Sequence, residues 1–190
     1  MRVAGRALGL CRLRTGRAKR PAHKAYASLT LVGMVSLLTI SAFAASSPLD
    51  VSRIITKADA EKIIGEPVRD ATPVNQNGAD GYYSKCNYYS SKSLRSLLVR
   101  VRQASPGSMD PQKEFEQVAA SGGAMKPVQG LGDKAGMFNG APQNGLPPNV
   151  VMLYVVKGNA FITVGIGGMS DEAATLKKAR GVAEKVLAQL

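Results

Sequence analysis

The sequence predicts an α+β fold, in which a single domain holds an antiparallel sheet of about five strands covered by three helices. Two pairs of neighbouring strand-like segments indicate hairpins, and three other segments have the apolar spacing of helices. Hairpins build antiparallel sheets, and amphipathic helices bury their apolar faces against such a sheet. A further apolar segment near the N-terminus predicts a hydrophobic helix that precedes this domain.

The first predicted helix of the domain has a signal at each end. Thr56 is a capping residue, and Asp59 follows three positions later as in a variant of the capping box. Ile63 and Ile64 contribute to an apolar face, and Gly65 is a typical stop. We therefore expect a short helix that begins at Thr56 and ends at Gly65.

The first predicted hairpin joins residues 82–89 to residues 94–103, after a turn-rich loop at 71–81. The segment 82–89, YYSKCNYY, has the aromatic content of a strand, and the segment 94–103 alternates between apolar and polar residues. Alternation assigns the side chains of the first strand to two faces. One face is predicted to hold Tyr82, Cys86 and Tyr88, and the other Tyr83, Lys85, Asn87 and Tyr89.

The second half of the domain is predicted to contain a helix, a short strand and another hairpin. Asp110 and Pro111 form a good helix start, because Asp caps and Pro tolerates the first helical position. A short strand is expected at 135–138. Residues 150–156 and 160–166 then flank a turn, and their near-continuous apolar character predicts central, well-covered strands.

The last predicted helix is the longest and clearest of the three. Ser170 is the expected capping residue, and Asp171 and Glu172 are favourably placed at the positive end of the helix dipole. The apolar residues that follow fall at helical spacing as far as Leu190.

Residues 25–45 run for 21 positions without a charged residue, behind a leader with eight basic residues and no acidic one. We interpret residues 1–44 as a signal peptide, because the most apolar stretch is short and Ala42 and Ala44 form a small-x-small site before Ala45. The alternative is an uncleaved anchor, since 21 uncharged residues are long enough to span a bilayer. Cleavage predicts a periplasmic or secreted protein, and an anchor predicts attachment to the inner membrane.

The positive charge of the chain lies largely in the leader. The sequence has 25 Lys and Arg against 13 Asp and Glu, a formal charge of +12, but eight of these basic residues lie in 1–44. Residues 45–190 therefore hold 17 basic and 13 acidic side chains, or +4. Because nucleic-acid binding depends on a clustered basic face, we expect no nucleic-acid partner. We divide the rest of the chain into a linker, 45–55, and the α+β domain, 56–190.

Histidine and cysteine content excludes several mechanisms. The single histidine, His23, lies in the leader, as does Cys11, one of the two cysteines. The domain therefore lacks the residues for Ser-His-Asp or Cys-His catalysis and for the usual zinc sites, and we predict no catalytic residue, metal site or cofactor. Cys86 is expected to be a buried thiol, with a disulfide to another chain as the alternative.

The tyrosines of the first hairpin are one candidate ligand surface. Tyr83 and Tyr89 belong to a group of four tyrosines in 82–89. Such a group suits stacking against sugar rings or a peptide, whereas core and cross-strand packing is the commoner explanation.

Arginines of the second strand are the other candidate. Arg100 and Arg102 alternate with apolar residues, so we predict that both lie on the exposed face of the sheet, together with Lys85 and Arg95 as candidate neighbours. A basic stripe suits an anionic lipid or wall polymer, while solvated charges that discourage edge pairing are commoner.

Two glycine-containing motifs are interpreted as turns. GLGDKA at 130–135 formally matches the dinucleotide-binding pattern, but strand-like residues follow it where a helix is required. NQNGAD at 75–80 has oxygen ligands at alternating positions, but Cys86 stands where a calcium loop needs Glu.

Several landmarks recur together in one known group of proteins: KADAEKIIGEPV, Cys86-x-Tyr88, GLGDKA, LYVVKGNAFITVGI and AEKVLAQL. In these the chain resembles, over about residues 52–190, a family of bacterial exported proteins of unknown function, represented by small actinobacterial cell-envelope lipoproteins. The resemblance implies an exported α+β domain and brings no catalytic residue with it. The lipidated N-terminal cysteine of those relatives is absent here. Ile54 and Ile55 stand where many of them have a second cysteine, so the implied disulfide partner of Cys86 is missing.

We expect a non-enzymatic exported protein that binds an envelope protein, a wall polymer or a small ligand. The alternatives are a membrane-tethered accessory domain and an envelope hydrolase that uses carboxylate or tyrosine groups. Contact with a membrane is predicted only through residues 25–45 if they are uncleaved, and the sequence leaves the oligomeric state open.

Overall fold

The computed structural model describes residues 47–121, 123–140 and 149–190, which lie within one compact unit, Ala44–Leu190. These residues form helices and one antiparallel sheet, which confirms the α+β single-domain prediction. The helices are α1 (Val51–Ile54), α2 (Lys57–Ile64), α3 (Pro111–Ser121) and α4 (Glu172–Leu187). The strands are β1 (Val74–Gly78), β2 (Gly81–Tyr89), β3 (Ser96–Ala104), β4 (Lys126–Pro127), β5 (Lys134–Gly140), β6 (Val150–Lys157) and β7 (Ala160–Gly167).

The seven strands follow the order β1-β2-β3-β7-β6-β5-β4, with every neighbouring pair antiparallel. The sheet has two more strands than the roughly five predicted, and both lie at its edges. Strand β1 occupies part of the predicted loop 71–81, and all five of its residues are exposed, so it has no alternation of polarity to reveal it. Strand β4 is two residues long, which is too short for any sequence pattern.

One face of the sheet, here called the inner face, carries the main core. Side chains of β2, β3, β5, β6 and β7 pack there against α1, α2 and α4 in one buried cluster. Strand β7 lies at the centre of the sheet and all eight of its residues are buried, which confirms the prediction of well-covered strands. On the opposite, outer face, α3 covers one end of the sheet through a small cluster of Phe115, Val156 and Phe161.

The ends of the helices follow the sequence signals closely. Thr56 and Asp59 form the predicted capping box of α2, and Gly65 ends that helix in a left-handed conformation, φ +79°. The carboxylate of Asp110 accepts a hydrogen bond from the N–H of Gln112 at 2.7 Å, which caps α3.

The N-terminal cap of α4 is Asp171, so the prediction of Ser170 is wrong by one residue. The Asp171 carboxylate accepts a hydrogen bond from the N–H of Ala174 at 3.0 Å. Asp and Ser cap about equally well, so residue type does not decide between two adjacent candidates.

The second half of the predicted linker 45–55 belongs to the domain. Val51 and Ile55 are fully buried at the two ends of α1. The N–H of Val51 donates to Ser84 Oγ at 2.8 Å, which ties this segment to β2. Four helical residues are too few for an apolar period, so the sequence pattern does not reveal α1.

The predicted N-terminal hydrophobic helix and the predicted cleavage residues Ala42, Ala44 and Ala45 lie outside the described residues. Across the part of the chain that is described, none of the helices has the length and apolar content needed to cross a membrane.

Candidate ligand-binding cleft on the outer face of the sheet

The outer-face side chains form rows across the sheet, because antiparallel register sets residues of neighbouring strands directly side by side. The row that we call the middle row consists, from β2 to β6, of Lys85, Arg100, Thr163 and Tyr154. The adjacent row under α3 contains Tyr83, Arg102, Phe161 and Val156. The row on the other side contains Asn87, Leu98, Gly165 and Met152.

A cleft of about 600 Å³ opens over the middle row, with residues of α3 and β1 along its sides. Its size is within the range of small-molecule sites. Its apolar and aromatic lining comes from five strands of the sheet and from α3. These side chains are Val74, Tyr83, Leu98, Val118, Met152, Tyr154 and Phe161.

Arg102 lies on the predicted face of β3, but the prediction that it is exposed is wrong. Its side chain is 1% exposed, and Nε and Nη2 each lie 2.6 Å from Oε2 of Glu114. It also donates to the carbonyl oxygens of Asp80 and Met109, at 3.2 and 3.0 Å. Because α3 returns over this end of the sheet and supplies the opposite charge, Arg102 fixes α3 to β3 and does not face solvent.

The polar groups of the middle row have no hydrogen-bond or ion-pair partner within the described part of the chain. Lys85 is exposed and lies directly opposite Arg100 on the neighbouring strand, so two like charges are adjacent. Such a pair destabilises a sheet. Arg100 contacts the ring of Tyr83, with Cζ 5.1 Å from the ring centroid. The hydroxyl groups of Thr163 and Tyr154 extend this unsatisfied row toward β6.

Two tyrosines of the cleft remain neutral donors at neutral pH. Burial raises the pKa of Tyr154, against a smaller opposing effect of the Arg100 charge. Burial, followed by a hydrogen bond to Asp80, raises the pKa of Tyr83. The Tyr83 hydroxyl donates to Asp80 Oδ2 at 2.6 Å, and this bond is the main cause that lowers the pKa of Asp80.

The structure therefore brings together some of the predicted site residues and separates others. Tyr83 and Arg100 line the cleft with Lys85, whereas Tyr89 lies at the far end of β2 with 53% of its surface exposed. Arg95 lies outside the cleft, since it forms an ion pair with Glu66 at 3.1 Å.

Sequence reasoning missed the half of the cleft that β6 and β7 supply. Tyr154 and Thr163 are polar interruptions in two otherwise apolar segments, and apolar segments were assigned to the core. A usable signal existed, because a two-residue turn at Gly158 and Asn159 sets Tyr154 opposite Thr163 on the same face.

The GLGDKA segment forms the predicted turn and leads into β5. Gly132 has φ +61°, and a Cβ there would lie 2.5 Å from the carbonyl oxygen of Val156, so close packing explains this glycine. A second cleft of about 390 Å³ lies beside the turn and α3. Its charged groups are already satisfied, because Asp133 pairs with Lys157 at 2.9 Å and Lys134 with Glu116 at 3.4 Å.

Cys86 lies on the inner face with 1% exposure, which confirms the prediction of a buried thiol. Burial raises its pKa, so the thiol is protonated at neutral pH. The neighbouring Tyr88 hydroxyl donates to the carbonyl oxygen of Ile55, which joins β2 to the end of α1.

Comparison with known proteins gives no match among family models, curated proteins or solved structures. Among the described residues, no group of three or more His, Cys, Asp or Glu side chains is placed to hold a metal ion. The outer-face cleft is the candidate functional site of the described domain.

Proposed function

We propose that this protein is an exported, non-enzymatic binding module of the cell envelope that binds a small ligand in the outer-face cleft. The observation that carries the proposal is the middle row, whose four polar groups lack hydrogen-bond and ion-pair partners in the described structure and lie beside aromatic side chains. Small-molecule sites typically combine an apolar lining with a few placed polar groups. The uncharged segment 25–45 and the resemblance to bacterial exported proteins support export.

The charges in the cleft favour binding over hydrolysis. Glu114 is the carboxylate in the lining, and Arg102 holds it in a hydrogen-bonded ion pair. A carboxylate bound in this way is poorly suited to act as a general base or nucleophile. A binding module needs no such group. An accessory domain anchored through residues 25–45 remains compatible with the same cleft.

The cleft is tested by filling it with a large side chain. Thr163→Trp places an indole in the middle row, and Thr72→Trp introduces the same change at an exposed position outside the cleft. Each protein is incubated with the low-molecular-weight fraction of a cell-envelope extract and examined by native mass spectrometry. We expect a bound compound of defined mass on the wild type and on Thr72→Trp, and its loss from Thr163→Trp.

Thermal unfolding of each variant verifies that it is folded before binding is compared. Absence of any bound compound on the wild type, or equal occupancy of Thr163→Trp, contradicts the cleft as the binding site. Chemical conversion of the bound compound by the wild type contradicts the non-enzymatic part of the proposal.

A further inference from the structure

We propose that the ligand of this cleft is an anion with an attached apolar or aromatic group, whose carboxylate or phosphate binds between Lys85 and Arg100. This inference rests on the proposed function, since it names the chemical class that the same cleft binds. It follows from the charge balance of the cleft, from the register of the middle row and from the position of the aromatic side chains.

The described residues around the cleft leave an excess of positive charge. Arg102 and Glu114 neutralise each other through bonds of 2.6 Å. Asp80 lies just beyond the lining, where it accepts a hydrogen bond from Tyr83, lies 3.9 Å from Arg102 and also interacts with the charge of Arg100. Three cations and two carboxylates leave a net charge of +1. Lys85 and Arg100 therefore remain as two cations without a carboxylate within ion-pair distance in the described structure. An anionic ligand supplies the missing charge.

The register places these two cations so that one group can contact both. Lys85 and Arg100 are directly opposite each other on β2 and β3, and Cβ atoms in such pairs lie roughly 5 Å apart. An oxyanion between them converts a repulsive pair into two charge-assisted hydrogen bonds, and a guanidinium binds carboxylate or phosphate oxygens in a bidentate manner. The Thr163 hydroxyl, next along the row, is available as a further donor.

The half of the cleft away from Lys85 is apolar and aromatic, so we expect the ligand to carry an apolar group that packs against it. The rings of Tyr154 and Phe161 are stacked, with centroids 6.0 Å apart and planes 26° apart. Leu98 and Met152 line the cleft beside them, and Val118 faces them from α3. A bare inorganic anion at Lys85 leaves this apolar surface uncovered, whereas an attached ring or hydrocarbon group covers it.

The experiment uses phenyl phosphate and phenylacetate as two anionic probes and benzyl alcohol as a neutral probe of similar size. Binding to the wild type is compared by calorimetry with binding to Lys85→Gln and Arg100→Gln. Lys177→Gln is the matched control, because Lys177 is an exposed lysine on α4, which packs on the inner face. Loss of a charge-assisted bond is expected to weaken binding of the anions about tenfold in each cleft variant. The control is expected to bind as the wild type does.

The two anionic probes separate the two sources of the negative group. Tighter binding of phenyl phosphate indicates a phosphate ligand, and tighter binding of phenylacetate indicates a carboxylate, and both results support an anionic ligand. Equal affinity of the neutral probe, no binding of either anion, or unchanged anion binding in both cleft variants overturns the inference. A different result separates the two proposals. If the wild type captures a neutral compound from the extract and Thr163→Trp does not, the cleft is still the binding site, and only the inference that its ligand is an anion is wrong.

Folding of the variants provides an internal check. Removing one of two adjacent like charges is not expected to lower the thermal midpoint of Lys85→Gln or Arg100→Gln. Weak probe binding in a variant with an unchanged midpoint therefore reports a lost contact with the ligand and supports the inference. If one cleft variant fails to fold, the folded variant decides: weaker anion binding supports the inference, and unchanged anion binding overturns it.

Discussion

Arg100 and Arg102 are two positions apart on β3 and lie on the same face, yet their surroundings give them different roles. Arg102 is buried under α3 and bonded to Glu114, whereas Arg100 lies in the open cleft without a carboxylate partner among the described residues. Alternation along the strand predicts a shared face for both residues, and that prediction is correct. It does not predict which of them α3 covers, because the covering helix follows β3 in the chain and its path depends on tertiary packing.

The buried position of Arg102 gives a stability prediction at the scale of one residue. Glu114→Gln removes the opposite charge from a guanidinium that is 1% exposed, so we expect a loss of about 3 kcal/mol in the free energy of unfolding. Urea denaturation measures this loss. Glu116→Gln is the control, since Glu116 is 60% exposed and 3.4 Å from Lys134, and it should change stability by about 0.5 kcal/mol or less. Equal losses in the two variants would contradict the assigned role of Arg102.

At the scale of elements, α2 is the part of the fold that local sequence specifies most completely. Its capping box, its apolar residues and its glycine stop are all contiguous in the chain, and each is found where it was expected. Edge strand β1 shows the opposite case, because its pairing with β2 is set by the turn that follows it and its side chains remain exposed. The middle row likewise depends on strand pairing and not on local sequence, because its four residues become neighbours only when β2, β3, β7 and β6 have aligned.

The capping box also connects α2 to α4 and makes this contact dependent on pH. Asp59 Oδ1 lies 2.8 Å from Lys185 Nζ, and chiefly this bond, with those to Thr56, lowers the pKa of Asp59 to about 2. A lowered pKa in the folded state means that the ionised form stabilises the protein above about pH 4. This contribution is lost as the pH falls from about 4 through 2.

The corresponding variant is Asp59→Asn, compared with the wild type by urea denaturation at a series of pH values. We expect a constant difference in stability between the two proteins from pH 7 to about pH 4.5, and a shrinking difference at lower pH. A difference that stays constant down to pH 2.5 would show that the charge of Asp59 does not contribute.

At the scale of the whole molecule, we propose that residues 1–44 are a signal peptide that is removed on export. Residues 1–44 hold eight of the 25 basic residues, the single histidine and one of the two cysteines. We expect the native protein to begin at Ala45 and to occur in the soluble periplasmic or secreted fraction. The intact mass after cell fractionation measures this, and a full-length mass in the membrane fraction would instead favour the anchored alternative.

The strand order has a consequence for the time at which the protein can fold. The central strand β7 spans Ala160–Gly167 and follows every other described strand in the chain, with α4 after it. Until β7 is available, β3 and β6 each have an unpaired edge and the inner face lacks its longest helix. Pairing of β3 with β7 also joins residues that lie about 60 positions or more apart, and contacts so distant in sequence slow folding. The described sheet therefore closes only when β7 pairs with both β3 and β6, which makes this strand the element that joins the two halves of the sheet.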